Sequence, residues 1–104
     1  MVKVKIVKKE KTINSLRISG HADAGEYGKD LVCAGISSVA VGLANAIDLL
    51  AKKSCTIVID ENLVSIEVLN SDATIQTILH TGIIQLQTIE EQFPKKIKIH
   101  ITEV

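Results

Sequence analysis

The chain has 104 residues, 46% of them hydrophobic and 23% charged, with twelve basic side chains balanced by twelve acidic ones. That is enough apolar material for one domain with a buried core, which excludes a disordered chain; Tyr27 and Phe93 are the only aromatics, so Ile, Val and Leu must fill the core. The formal net charge is zero and Lys and Arg do not cluster beyond the strand-like ends, so the sequence carries no footprint for a phosphate backbone, and no direct contact with nucleic acid is expected.

Residues 2–8 and 13–19 alternate apolar and polar side chains, with Val2, Val4 and Ile6 in one and Leu16 and Ile18 in the other, which predicts an opening hairpin. Lys3, Lys5, Lys8 and Lys9 then read as its solvated side. Residues 20–29 contain Gly20, Gly25 and Gly28, too many glycines for a helix or strand, and are expected to form a long exposed loop.

Residues 30–52 are helical by their Ala and Leu content and apolar on most sides, through Val32, Ile36, Val39, Leu43, Ala46, Ile47 and Leu50. Such a helix belongs mid-domain, covered by a sheet and a second helix, with Gly35, Ala40, Gly42 and Ala44 letting backbones approach. Asn45 and Asp48 interrupt its apolar run and the N-terminus lacks a signal-peptide pattern, so a soluble, cytoplasmic chain with no membrane partner is expected.

Cys55–Asp60 and residues 63–69 predict a second hairpin turning at Glu61 and Asn62, where Asn tolerates the positive φ of a tight turn. Ser71 is a good cap for a second helix that runs to about Phe93, with Asp72 at its positive end and Pro94 closing it. Ile75, Leu79, Leu86, Ile89 and Phe93 face a core at helical spacing, while Ile78, Ile83 and Ile84 widen the stripe and predict a homodimer. Residues 95–102 close the chain as a strand with one wet face. The order ββαββαβ is that of an α+β two-layer sandwich, a mostly antiparallel or mixed sheet with two helices packed on one face.

Reactive residue types gather where the glycine-bearing loop enters the first helix: Gly20, His21, Ala22, Gly25, Gly28, Asp30, Cys33, Ala34 and Ser37. With Asp30 as cap, Cys33 is the third helical residue and lies among backbone N–H groups without intrahelical partners, a place that favours a thiolate. His21 ends the second strand and can fold back to the thiol as its base. The N–H groups of Cys33 and Ala34 could receive an oxyanion, which fits acyl transfer. Asp30 either caps the helix or orients His21, and Ser37, one turn past Cys33, either bonds near the site or back to a helix carbonyl. A cysteine so placed is also, in many proteins, a small buried hydrophobe, which leaves a non-catalytic binding module as the rival reading. Two cysteines are too few for a disulfide framework, Cys55 reads as core, and His80 and His100 read as surface or structural. A zinc site on His21, Cys33 and Cys55 or His80 would lack any short Cys-x-x-Cys ligand pair, so no metal and no cofactor are expected.

The run Gly20-His21-Ala22, Gly25, Gly28-x-Asp30-x-Val32-Cys33-Ala34 and Ser37 resembles the ribosomal-processing cysteine protease family, Prp. The resemblance implies a homodimeric endopeptidase that removes the N-terminal extension of large-subunit ribosomal protein twenty-seven, cutting after paired aromatic residues and before a small one. It implies His21 and Cys33 as the catalytic pair. It also implies that the loop bearing Gly20, Ala22, Gly25 and Gly28 moves to admit the peptide, with that precursor as the partner.

Overall fold

The computed structural model describes residues 1–20 and 31–104. Its elements are β1 (Val2–Lys9), β2 (Thr12–Ser19), α1 (Leu31–Leu50), β3 (Cys55–Asp60), β4 (Leu63–Val68), α2 (Ala73–Gln92) and β5 (Ile97–Glu103), in the expected order. The five strands form one sheet in the spatial order β3-β4-β2-β1-β5. Neighbours are antiparallel except β1 and β5, which run parallel, with Val2 opposite Ile97 and Ile6 opposite Ile101. The sheet is therefore mixed.

Alternation explains how the sheet buries only one side. Val2, Val4 and Ile6 of β1, Leu16 and Ile18 of β2, Ile66 of β4 and Ile97 of β5 are all buried and join one core with Val32, Ile36, Leu43 and Ile47 of α1 and Ile75, Leu79 and Leu86 of α2. The β2-α1-β3 and β4-α2-β5 connections each join strands of the same direction, and crossovers of one hand set both helices on the same face. The outer face keeps most of the polar residues of the strands, with Val7 of β1 and the exposed Val58 of β3 among them.

The first hairpin turns at Glu10 and Lys11, both with positive φ (51° and 68°), the conformation of a two-residue turn that matches strand twist. The second does not need it: Asn62 has no positive φ, and the Asp60 carboxylate instead accepts from the Glu61 N–H at 2.7 Å. Helix α2 starts one residue later than Ser71 would place it. Asp72 is the cap, extended at φ −146°, its carboxylate accepting from the Ile75 N–H at 2.9 Å, while Ser71 Oγ accepts from Gln76 Nε2.

Helix α1 is less enclosed than its composition predicts. Leu31, Val41, Leu49 and Leu50 are exposed, and Val39 and Ala46 are half-buried, because the sheet lies on one side and α2 on another. The helix is long and apolar enough to cross a membrane by length and composition, yet Val32, Ile36, Ala40, Leu43, Ala44 and Ile47 are buried within the protein. In α2 the roles of two residues reverse: Ile83 is buried, and Phe93, at the C-cap, is exposed. The close helix–helix approach rests on a glycine the pattern does not single out. A Cβ on Gly82 would come within 2.8 Å of Leu43 Cδ2, whereas one on Gly42 would meet nothing within 4 Å.

Candidate active site

Helix α1 presents Cys33 and Ser37 on one face, one turn apart, as their four-residue spacing requires. Both line a cleft of about 240 Å³ between the start of α1, the ends of β1 and β2, and the β3–β4 turn. Its walls are mostly apolar, from Val2, Ile18, Ile36, Val41, Leu63 and Val64, and Asp60, Glu61 and Asn62 form a polar rim. Cys33 is half-buried, packed against the core at its base and open to the cleft. Its position, third in α1, puts it at the N-terminal, positive end of the helix dipole.

Gly20 fixes the other wall. Its φ of +90° is one that side chains rarely adopt, and a Cβ there would lie 2.7 Å from the Met1 carbonyl oxygen. Its N–H also donates to the Asn62 carbonyl at 3.2 Å, so β1, β2 and the β3–β4 turn meet at this one residue. The glycine that opens the motif is thus required by the backbone.

Of the other expected site residues, Ser37 is exposed in the cleft and Ala34 is exposed on α1 away from its lining. His21, Ala22, Gly25, Gly28 and Asp30 lie outside the described residues. The contribution of the β3–β4 turn had no signal near the motif, because Asp60, Glu61 and Asn62 are almost thirty residues further along the chain. Cys55 begins β3 while Ile59 and Asp60 at its far end border the cleft, so the two thiols stand at opposite ends of the strand. Burial pushes the Cys55 thiol up from its usual value, the opposite of what a nucleophile needs. His80 and His100 are exposed, and among the described residues no three His, Cys, Asp or Glu side chains converge as metal ligands would. A larger groove of about 370 Å³ between α1 and α2, lined by Val39, Leu43, Ile78 and Gln85, holds no nucleophile candidate from the motif. Cys33 and Ser37 both line the smaller cleft.

Comparison with known proteins shows the family. Residues 1–98 match the family model described as Cysteine protease Prp. The chain is 40% identical over 99 residues to the ribosomal processing cysteine protease Prp of Staphylococcus aureus strain Mu50, covering 90% of this chain and 92% of that one. It is also similar to the crystal structure of the essential ribosomal processing protease Prp from S. aureus in complex with a covalently linked product peptide. That match has a TM-score of 0.92 and 36% identity, covering 98% of this chain and 100% of the other. The same S. aureus protease in complex with a substrate peptide superposes with a TM-score of 0.82 at 34% identity, again over 98% and 100% of the two chains.

Proposed function

Because this chain belongs to the cysteine protease Prp family and is a cysteine protease, we propose that Cys33 is its nucleophile, His21 its base, and the N-terminal extension of ribosomal protein twenty-seven its substrate. The observation that carries this reading is the cleft itself. Cys33, in the first turn of α1, opens on it, and Gly20, the residue before His21, forms its opposite wall. A relative that holds a covalently linked product peptide supports a covalent route.

His21 takes the thiol proton and the sulfur of Cys33 attacks the scissile carbonyl carbon, placing negative charge on the carbonyl oxygen. The N–H of Cys33 and its neighbours at the helix start, Ala34 included, stabilise that oxyanion through hydrogen bonds and the helix dipole. The imidazolium returns its proton to the departing amine as the C–N bond breaks, leaving a thioester on Cys33. Water, deprotonated by the same imidazole, then hydrolyses the thioester and restores the thiol. Ser37, exposed in the cleft one turn from Cys33, is placed to hydrogen-bond to a bound peptide. Asp30, as helix cap or as the group that orients His21, and the loop of Gly25 and Gly28, as the gate for peptide entry, keep the roles read from the sequence.

The apolar walls, Ile36, Val41, Leu63 and Val64, suit a bulky side chain before the scissile bond, which supports cleavage after paired aromatic residues. The exposed Ile84, Leu49 and Leu50 support a homodimer. Light scattering on the eluting protein is expected to give twice the 11.2 kDa chain mass.

The deciding experiment offers a peptide with a Phe-Phe-Ala junction to the wild type, Cys33→Ala and His21→Ala, read by mass spectrometry. Cleavage after the second Phe by the wild type alone is expected. No cleavage by any of the three folded proteins would replace this reading with that of a binding module.

A further inference from the structure

The outer face of the sheet concentrates positive charge in a way that the balanced composition conceals. Register sets Lys3 of β1 opposite Lys98 of β5, and Lys5 of β1 between Arg17 of β2 and His100 of β5. All five side chains are exposed and alternate with the core residues, so they share the face that no helix covers. Among the described residues none of them has an ion-pair partner. On this face Ser65 of β4 continues the row beyond Arg17, and Glu67, one row on, bounds the patch.

Like charges directly opposite on neighbouring strands destabilise a sheet. Lys3 against Lys98 and Lys5 against Arg17 are two such pairs side by side, an arrangement that folding alone opposes. It is relieved when a polyanion bridges them. No Phe, Tyr or Trp stands on this face among the described strands, so beyond the single His100 ring it offers no platform for stacking bases, and it has no aromatic wedge for a bilayer. What it offers is a flat array of cations flanked by the Ser19 and Ser65 hydroxyls, the donors that phosphate oxygens take.

We propose that the outer sheet face, through Lys3, Lys5, Arg17 and Lys98, binds the phosphate backbone of structured RNA without reading its sequence. The choice of RNA among polyanions rests on the ribosomal-processing reading above. The cleft opens on the helix side of the sheet, so RNA and peptide can be held together, and loss of one activity need not remove the other.

The test measures fluorescence anisotropy of a labelled RNA hairpin with full-length protein between 50 and 200 mM KCl. Four phosphate contacts predict a log K against log[KCl] slope of roughly −3, from a loss of about 0.7 to 0.9 per contact. The variant Lys3→Glu/Arg17→Glu converts both like-charged pairs into opposite-charged ones. It is expected to fold at least as stably as the wild type, to cleave peptide unchanged, and to bind the hairpin at least tenfold more weakly with a flattened slope. Lys52→Glu/Lys53→Glu, in the α1–β3 turn, is expected to bind like the wild type. The proposal is overturned if the wild type shows no binding at 50 mM KCl or if the double variant binds as tightly. Preference for duplex DNA, or for phosphatidylglycerol vesicles, over the hairpin also overturns it.

Discussion

The Gln76 carboxamide forms a two-bond ring with the backbone of Ile13, accepting from its N–H and donating to its carbonyl, both at 2.9 Å. Strand β4 pairs with β2 only from Ser15 to Ser19, so at Ile13 a side chain from α2 takes the place of a neighbouring strand.

Gln76→Ala removes both partners from a half-buried stretch of backbone and is expected to cost about 2–6 kcal/mol, at roughly 1–3 kcal/mol for each of the two groups left unsatisfied. Gln76→Glu keeps the acceptor and loses the donor, so its cost should be smaller. Urea unfolding followed by circular dichroism ranks the three proteins; equal midpoints would show that water replaces the amide without loss.

Gly20→Ala meets two obstacles at once, a φ of +90° and the Met1 carbonyl oxygen at 2.7 Å. A destabilisation of about 1–3 kcal/mol is expected from the backbone conformation alone. Because Gly20 forms a wall of the cleft, kcat/KM on the Phe-Phe-Ala peptide should fall by more than stability explains. Full activity in a folded variant would separate this wall from catalysis.

The two thiols should respond differently to iodoacetamide. Burial holds Cys55 protonated above the range of an ordinary thiol, near 8.5, so at pH 7 label is expected on Cys33 and not on Cys55. The raised value also sets a stability trend. The folded state holds the Cys55 proton more tightly than the unfolded chain does, so this contribution is fully present below about pH 8.5 and is lost as pH rises through the folded value. Cys55→Ala should therefore flatten any alkaline fall in the urea midpoint; an unchanged fall would assign it to other groups.

Glu90 reaches from the last turns of α2 to accept from the Ile99 N–H at 2.7 Å. Glu90→Ala leaves that N–H on an edge strand to water and is expected to cost about 1–2 kcal/mol, with faster hydrogen exchange at Ile99 than at residues of β1. Exchange at Ile99 unchanged by the substitution would show that the carboxylate is not what protects it.

Periodicity made each element legible, since the 2-residue and helical patterns of Val4, Leu16, Ile36 and Leu79 depend only on local spacing. The Ser71 and Asp72 caps differ by one residue and are both good in sequence; the extended backbone of Asp72 and its reach to Ile75 decide between them. Strand order was not legible, because β1 finds β5 across nearly the whole chain and no local pattern encodes that meeting. The same distance hides the charge array, as Lys3 and Lys5 look like an ordinary wet strand until Lys98 and Arg17 are set beside them. At the site, Cys33 and Ser37 were legible as one helical face, while the turn from Asp60 to Asn62 comes to them only through the fold of the sheet.

The parallel pairing of β1 with β5 sends the two chain ends to opposite edges of the molecule. Met1 lies against Gly20 at the mouth of the cleft, whereas the Val104 N–H donates to the Lys8 carbonyl at 2.9 Å, a strand's length away. An affinity tag or fluorescent fusion placed before Met1 would crowd the peptide's entrance, and the same fusion after Val104 would leave it open.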